Sequence, residues 1–150
     1  MLRSVESVLF AGTGDRARLK IVVLDPEESA FELLPSRLRS LNFIEHVSPA
    51  TLMGPGISRP LALGSPKREE SRLALMRRWF WARKPDAGFL LHGFPATLLQ
   101  ALVFEEWLEA RNESLDAVFF AKDGSSASPI FRHYQLSGVV LTLDQLNESP

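Results

Sequence analysis

The sequence predicts an α/β domain built around a parallel sheet, and three observations lead to that class. Short apolar runs alternate along the chain with segments of helical periodicity. The clearest run, LKIVVL at residues 19–24, is apolar almost throughout, which is typical of a strand buried on both faces in a parallel sheet. The segments between successive runs are long enough for the crossover connections that parallel strands require.

Each element is predicted from such a run or from the spacing of apolar residues. The predicted strands are, in chain order, residues 19–24, 43–47, 88–92, 117–121 and 139–143. The predicted helices are residues 27–41, 66–83, 96–111 and 129–137. The first helix contains Pro35, so it either kinks there or starts late. Residues 48–65, rich in proline and glycine, are predicted to be an irregular loop.

Helical spacing also predicts which side chains of the two longest helices face the core. Those predicted in the first helix are Leu73, Leu75, Met76, Trp79 and Phe80. Those predicted in the second are Leu99, Leu102, Val103 and Trp107. Near the start of the chain, the apolar residues 7–10 and the turn-rich residues 11–15 favour an additional edge strand or hairpin.

Length and composition exclude several classes of protein. The 150 residues suit one domain, so we expect residues 1–150 to form a single unit with residues 1–18 as an N-terminal extension. The formal net charge of -1 indicates no general affinity for nucleic acid. No apolar run reaches the about 18 residues of a membrane helix. Absence of cysteine excludes disulfides, cysteine-ligated metals and a thiol nucleophile, and we expect a cytoplasmic protein.

One motif gives the chain a family resemblance. The stretch GFLLHGFPATLLQA at residues 88–101 resembles the G-F-[IL]-L-D-G-[FY]-P-R-[ST]-x-x-Q-A motif of the adenylate kinases, which are P-loop nucleoside monophosphate kinases. Residues 19–26 are similar to that family's first strand and the start of its phosphate loop, and residues 128–138 to its late helix. The resemblance implies a three-layer domain with a five-stranded parallel core sheet.

The same resemblance indicates that the phosphate loop is vestigial. The family's loop needs glycines, whose backbone N–H groups converge on phosphate, and a lysine that reaches the transferring phosphates. The glycine positions are occupied here by Asp25, Glu28, Ala30 and Glu32, and the lysine position by Phe31. Carboxylates would repel a triphosphate, whereas they suit the first turn of a helix. We therefore interpret this segment as an acid-capped helix start.

Other family groups are also replaced. His92 occupies the position of the acid that helps to hold magnesium, a role for which imidazole is poor, and packing or hydrogen bonding is its alternative role. Ala96 replaces a phosphate-clamping arginine, and residues 122–128 replace the mobile lid. Ser48 and Gln100 persist at nucleotide-binding positions, so both could contact a nucleotide, although Gln100 could equally face solvent.

Residues 67–84 have the most unusual local composition, with seven basic residues, two acids and three adjacent aromatics. Three adjacent aromatics cannot all face one core, so Trp81 should lie near the surface. Arg77, Arg78 and Trp81 could form a docking surface, because tryptophan and arginine dominate binding hot spots. The alternative is the solvated face of an ordinary amphipathic helix.

These observations favour a catalytically inactive adenylate-kinase-like domain that binds a protein partner. We expect it to use no cofactor or metal and to bind neither membrane nor nucleic acid. The alternative is a residual nucleotide-binding protein, for AMP or ATP, or a weak nucleoside monophosphate kinase that uses Ser48 and Gln100.

Overall fold

The computed structural model describes residues 18–24, 36–39, 41, 44–53, 66–120, 129–138 and 140–142. The strands are β1 (Lys20–Leu24), β2 (Glu45–Val47), β3 (Phe89–His92), β4 (Ala117–Phe120) and β5 (Val140–Thr142). The helices are α1 (Ser36–Arg39), α2 (Pro49–Met53), α3 (Pro66–Ala82), α4 (Leu98–Ala110) and α5 (Pro129–Leu136). All neighbouring strands pair in parallel, in the order β2-β3-β1-β4-β5. The predicted α/β class with a parallel sheet is confirmed.

The central strand β1 is buried along its whole length, as its composition predicts. Its side chains alternate between two apolar cores. Val22 and Leu24 face the larger core, whereas Ile21 and Val23 face the smaller one. Both faces of the sheet are therefore covered by apolar side chains, which explains why β1 has no alternating polar positions.

The larger core lies between the sheet and helices α3, α4 and α5. Its aromatic rings pack in contact with one another, with Phe94 stacked on Trp107 at 6.1 Å between ring centroids and Phe104 edge-on to Phe80 at 5.9 Å. Leu38 and Leu41, at and just beyond α1, cover the opposite face as their spacing predicts. The rest of the predicted first helix, and the predicted hairpin at residues 7–15, lie outside the described residues.

Helix α4 buries only part of the predicted face, with Val103 packed against the larger core. Leu99 and Leu102 are 69% and 44% exposed, so their predicted burial is wrong, whereas that of Trp107 is confirmed. The residues that are buried in this helix are Gln100, Ala101, Phe104, Trp107 and Leu108. Apolar residues occupy almost every side of the first turns of this helix, so periodicity alone could not select the face.

Most residues of α3 lie as predicted, although Leu75, which is predicted to face the core, is only half-buried. Met76, Trp79 and Phe80 are buried, and Trp81 is 40% exposed near the end of the helix. Leu73 is packed against the larger core. None of the helices in the described part of the chain is long and apolar enough to cross a membrane.

The predicted irregular loop at residues 48–65 is wrong in its first part, because α2 forms there. Proline is favoured at the first helical position, where its missing N–H is not needed, and Pro49 occupies it. The Ser48 N–H donates to Thr51 Oγ1 at 2.9 Å, and the Thr51 N–H donates to Ser48 Oγ at 3.1 Å. This reciprocal capping starts the helix despite the surrounding breakers. Residues 54–65 lie outside the described residues.

An ion network, buried except at Asp86, lies at the amino end of the sheet. Lys20 Nζ lies 2.5 Å from Asp86 Oδ1 and 3.8 Å from Glu113 Oε1, and Arg83 Nη2 donates to Glu113 Oε1 at 2.6 Å. The Asp86 N–H donates to the other Glu113 oxygen at 3.1 Å. The network joins β1 to the loops that follow α3 and α4, and it lies at the opposite end of the strands from the candidate site.

Candidate functional site at the carboxyl end of the sheet

The strand order places the candidate site at the carboxyl end of β1. From β1 the chain crosses to β2 at one edge of the sheet and returns to β3, beside β1. It then crosses to β4, on the other side of β1, and continues to β5 at the other edge. Ligands of open parallel sheets bind outside the carboxyl ends of strands whose connections diverge in this way. The described strand ends at this point are Leu24, His92 and Phe120.

The turn after β3 brings a buried arginine to this end of the sheet. Gly93 has φ of 83°, a left-handed conformation that glycine adopts without strain. Its N–H donates to the Val23 carbonyl at 3.3 Å, and its carbonyl accepts from Arg72 Nη2 at 3.1 Å. Arg72 is buried on α3. Sequence reasoning did not single out Arg72, although its position four residues before Met76 puts both side chains on one helix face.

The loop between β3 and α4 is held by Gln100. Its Oε1 accepts from the Ala96 N–H at 2.8 Å, and its own N–H donates to Thr97 Oγ1 at 3.1 Å, which caps α4. Gln100 is 5% exposed, so the alternative that it faces solvent is wrong. Its carbonyl oxygen fixes the backbone of its own loop, next to the cis Phe94–Pro95 peptide bond.

Ser48 lies beside β3 at the same end of the sheet. Because Val47 pairs with Leu91, Ser48 and His92 follow at neighbouring positions of the two strands. The Ser48 hydroxyl accepts from the Thr51 N–H and so caps α2. Ser48 therefore lies at the candidate site, where its hydroxyl caps α2.

The described residues at this site do not suit a magnesium ion. Magnesium prefers oxygen ligands, above all carboxylates and phosphates. The five described strands end in residues without a carboxylate, namely Leu24, Val47, His92, Phe120 and Thr142. His92 is buried at its strand end. Within the described ranges, no group of three or more histidine, aspartate or glutamate side chains could hold a metal ion.

The remaining predicted site residues lie elsewhere. The positions predicted to form a vestigial phosphate loop, Asp25, Glu28, Ala30, Phe31 and Glu32, lie outside the described residues. Arg77 and Arg78 are exposed on α3, and Trp81 lies at the end of that helix. Since α3 leads into the amino end of β3, Trp81 lies at the opposite end of the sheet from His92. The predicted docking residues are thus separate from the nucleotide-site positions.

Comparison with known proteins gives several similar adenylate kinases. The chain is 30% identical to the adenylate kinase of Streptomyces lividans over 110 residues, which are 67% of this chain and 54% of that protein. It is 29% identical to the adenylate kinase of Clostridium botulinum over 108 residues, 65% of this chain and 50% of that protein. It is 27% identical to the adenylate kinase of Moorella thermoacetica over 110 residues, 67% of this chain and 51% of that protein.

The match covers only part of each relative. The chain spans about half the length of the curated adenylate kinases that it matches. No protein-family model matches it. The similarity to several such enzymes nevertheless covers about two-thirds of this chain and agrees with its parallel α/β sheet. The chain is therefore a relative of the adenylate kinases.

Proposed function

We propose that this nucleotide-kinase-like chain is a catalytically inactive cytoplasmic domain, of the three-layer P-loop type, that works by binding a protein partner. The contact between Gln100 Oε1 and the Ala96 N–H carries the proposal. Ala96 stands where the similar motif has an arginine that clamps phosphate, and alanine has no side-chain donor. The Gln100 oxygen, an acceptor that cannot itself clamp phosphate, binds the Ala96 N–H, so this backbone donor is also occupied.

The connection from β4 to α5 supports the absence of phosphoryl transfer. β4 ends at Phe120 and α5 begins at Pro129, so residues 121–128 are too few for a lid with flanking arginines. Phosphoryl transfer depends on positioning and on neutralising the charge of the transferring phosphate. The acidic residues at the phosphate-loop positions of the sequence oppose that neutralisation.

A second candidate function is residual nucleotide binding or weak kinase activity. Arg72 favours it, because a buried guanidinium at the carboxyl end of a parallel sheet is suited to bind phosphate. AMP or ATP would then sit near Ser48 and Gln100. This candidate requires the Arg72 guanidinium to turn from the Gly93 carbonyl toward a ligand.

Thermal unfolding with AMP, ADP and ATP, each with and without magnesium, separates the two functions. A ligand at a hundred times its dissociation constant adds about 2.7 kcal/mol, which moves the melting temperature by several degrees. We expect no shift with any nucleotide and no phosphoryl transfer in a coupled assay. A shift that Arg72→Met abolishes, while Arg78→Met on the exposed face of α3 retains it, would establish the second function.

A further inference from the structure

Four of the five large hydrophobic side chains that are exposed in the described part of the chain lie on two helices, α4 and α5. Leu98, Leu99, Leu102 and Leu136, on α4 and α5, are between 36 and 90% exposed. Trp81 is the one comparable side chain elsewhere in the described part of the chain. Three of the leucines, Leu98, Leu102 and Leu136, line a single groove of about 670 Å³. Exposed leucines grouped along one groove are suited to contact a protein partner.

The groove continues into an acidic region. Leu102 also lines an adjoining cavity of about 600 Å³, together with Glu106 and Glu109. Both glutamates are exposed, and no ion pair joins either of them to another residue that the structure describes. Residues 98, 102, 106 and 109 follow helical spacing and form one stripe along α4, which we call the α4 stripe. It is apolar in its first half and acidic in its second half.

Helix α3 carries a surface of the opposite character. Arg77, Arg78 and Trp81, which we call the α3 patch, are all exposed. The Arg111 guanidinium lies over the Trp81 ring at 4.7 Å from its centroid, which adds positive charge beside the indole. Neither Arg77 nor Arg78 forms an ion pair with another residue in the described ranges. The α3 patch is therefore basic in its first turn and aromatic in the next.

We propose that the α3 patch of one copy of this chain docks on the α4 stripe of a second copy, with the two helices antiparallel. Trp81 then enters the leucine groove, while Arg77 and Arg78 face Glu106 and Glu109. The spacing agrees, because the basic and aromatic positions of the patch are one helical turn apart, as are Leu102 and Glu106 of the stripe. Opposite charges on the two surfaces select this partner and orientation.

The rim of the groove is compatible with this occupant. Arg132 lines the leucine region and is exposed there, so its guanidinium can lie against the incoming indole. His133, which also lines that region, contacts Glu105 through Nε2 and Oε2 at 2.6 Å. Arg132 therefore meets the face of the indole that Arg111 does not cover, and Arg77 and Arg78 meet the carboxylates.

The contact joins two different surfaces, so each associated pair still exposes one free patch and one free stripe. Association of this heterologous type continues into a ring or an open chain. The inference deepens the proposed function, on which it rests, by naming a second copy as the protein partner.

Sedimentation of the full chain from micromolar to millimolar concentration is the first test. We expect the average mass to rise with concentration and the association to weaken as salt screens the charges. A wild-type chain that stays monomeric throughout this range overturns the inference. Kinase activity or a nucleotide-induced shift would instead overturn the proposed function, so the two failures are distinguishable.

Charge reversal then tests the two surfaces. Arg77→Glu with Arg78→Glu, and separately Glu106→Lys with Glu109→Lys, should each weaken self-association at least about tenfold, because like charges meet at the contact. An equimolar mixture of these two variants should associate again, since every contact between different variants joins opposite charges.

The charge-conserving variant Arg77→Lys with Arg78→Lys is the matched control and should still associate. Circular dichroism checks that each variant is folded. Two outcomes overturn the inference: reversal on either surface leaves association unchanged, or the mixture of folded variants remains monomeric.

Discussion

The Tyr134 hydroxyl is the clearest unfavourable feature at the scale of single residues. Tyr134 is fully buried in the larger core, and its Oη has no hydrogen-bond partner among the described residues. Burial, and to a smaller extent the Glu105 carboxylate, raises the pKa of Tyr134, so the hydroxyl stays neutral. A buried hydroxyl that has lost its hydrogen bonds to water without gaining others destabilises the folded state.

We therefore predict that Tyr134→Phe raises the free energy of unfolding by about 1 kcal/mol. Tyr134→Ala removes the ring as well and should lower the free energy by about 3–5 kcal/mol, as loss of a buried aromatic does. Urea denaturation of both variants at neutral pH measures the difference. A marked loss of stability in Tyr134→Phe would contradict the prediction and would show that the hydroxyl is bonded in solution.

Helix α4 depends on a local cap at one end and a tertiary contact at the other. Thr97 adopts an extended conformation with φ of -131°, and its side chain accepts from the Gln100 N–H. Past the other end, Arg111 Nη1 donates to the carbonyls of Phe80 at 3.2 Å and Arg83 at 3.0 Å, at the end of α3. The cap can be recognised in the sequence, whereas the contact with α3 requires the tertiary fold.

Removal of the cap tests the local contribution. Thr97→Ala should lower the free energy of unfolding by about 1 kcal/mol, because the Gln100 N–H loses its acceptor. Thr97→Ser retains a hydroxyl at the same position and should remain close to the wild type. Urea midpoints of the three proteins give the comparison, and equal losses in both variants would show that the methyl group, not the hydrogen bond, stabilises this turn.

The ion network at the amino end of the sheet connects distant parts of the whole molecule. It joins Lys20 of β1 to Asp86 after α3 and to Glu113 after α4. The hydrogen bond from Lys20 is the main cause that holds the pKa of Asp86 below its ordinary value, with Arg18 and Arg83 adding to it and partial burial opposing it. Because the folded state lowers this pKa, the ionised carboxylate stabilises the fold.

The stability should accordingly depend on pH through Asp86. Its contribution is fully present above the unfolded pKa of about 3.9 and is lost as the pH falls through the lower folded value. Wild type should exceed Asp86→Asn in urea midpoint at neutral pH, and this difference should vanish in strong acid. Glu70→Gln, at an exposed carboxylate of α3, is the matched control; a constant difference between wild type and Asp86→Asn at every pH would contradict the prediction.

Residue patterns alone predicted much of the fold and some of the candidate site. The buried β1, the inward Met76 and Phe80 and the exposed Trp81 follow from apolar runs and helical spacing, which depend on near neighbours in the chain. The family resemblance identified the segment around Gln100 as part of the site. It did not show that this side chain is buried and bound to Ala96, because that contact depends on the turn between β3 and α4.

The sequence by itself determined the alternation of strands and helices, the α/β class and the chemical character of the exposed α3 patch. Only the tertiary structure decided which face of α4 is buried, that Arg72 reaches the Gly93 carbonyl and that four leucines remain exposed. The physical reason is that apolar side chains lie on almost every side of the first turns of α4, so hydrophobicity favours no single face there. Phe104 is buried because Phe80, Phe89 and Phe94, from three other segments, pack around it.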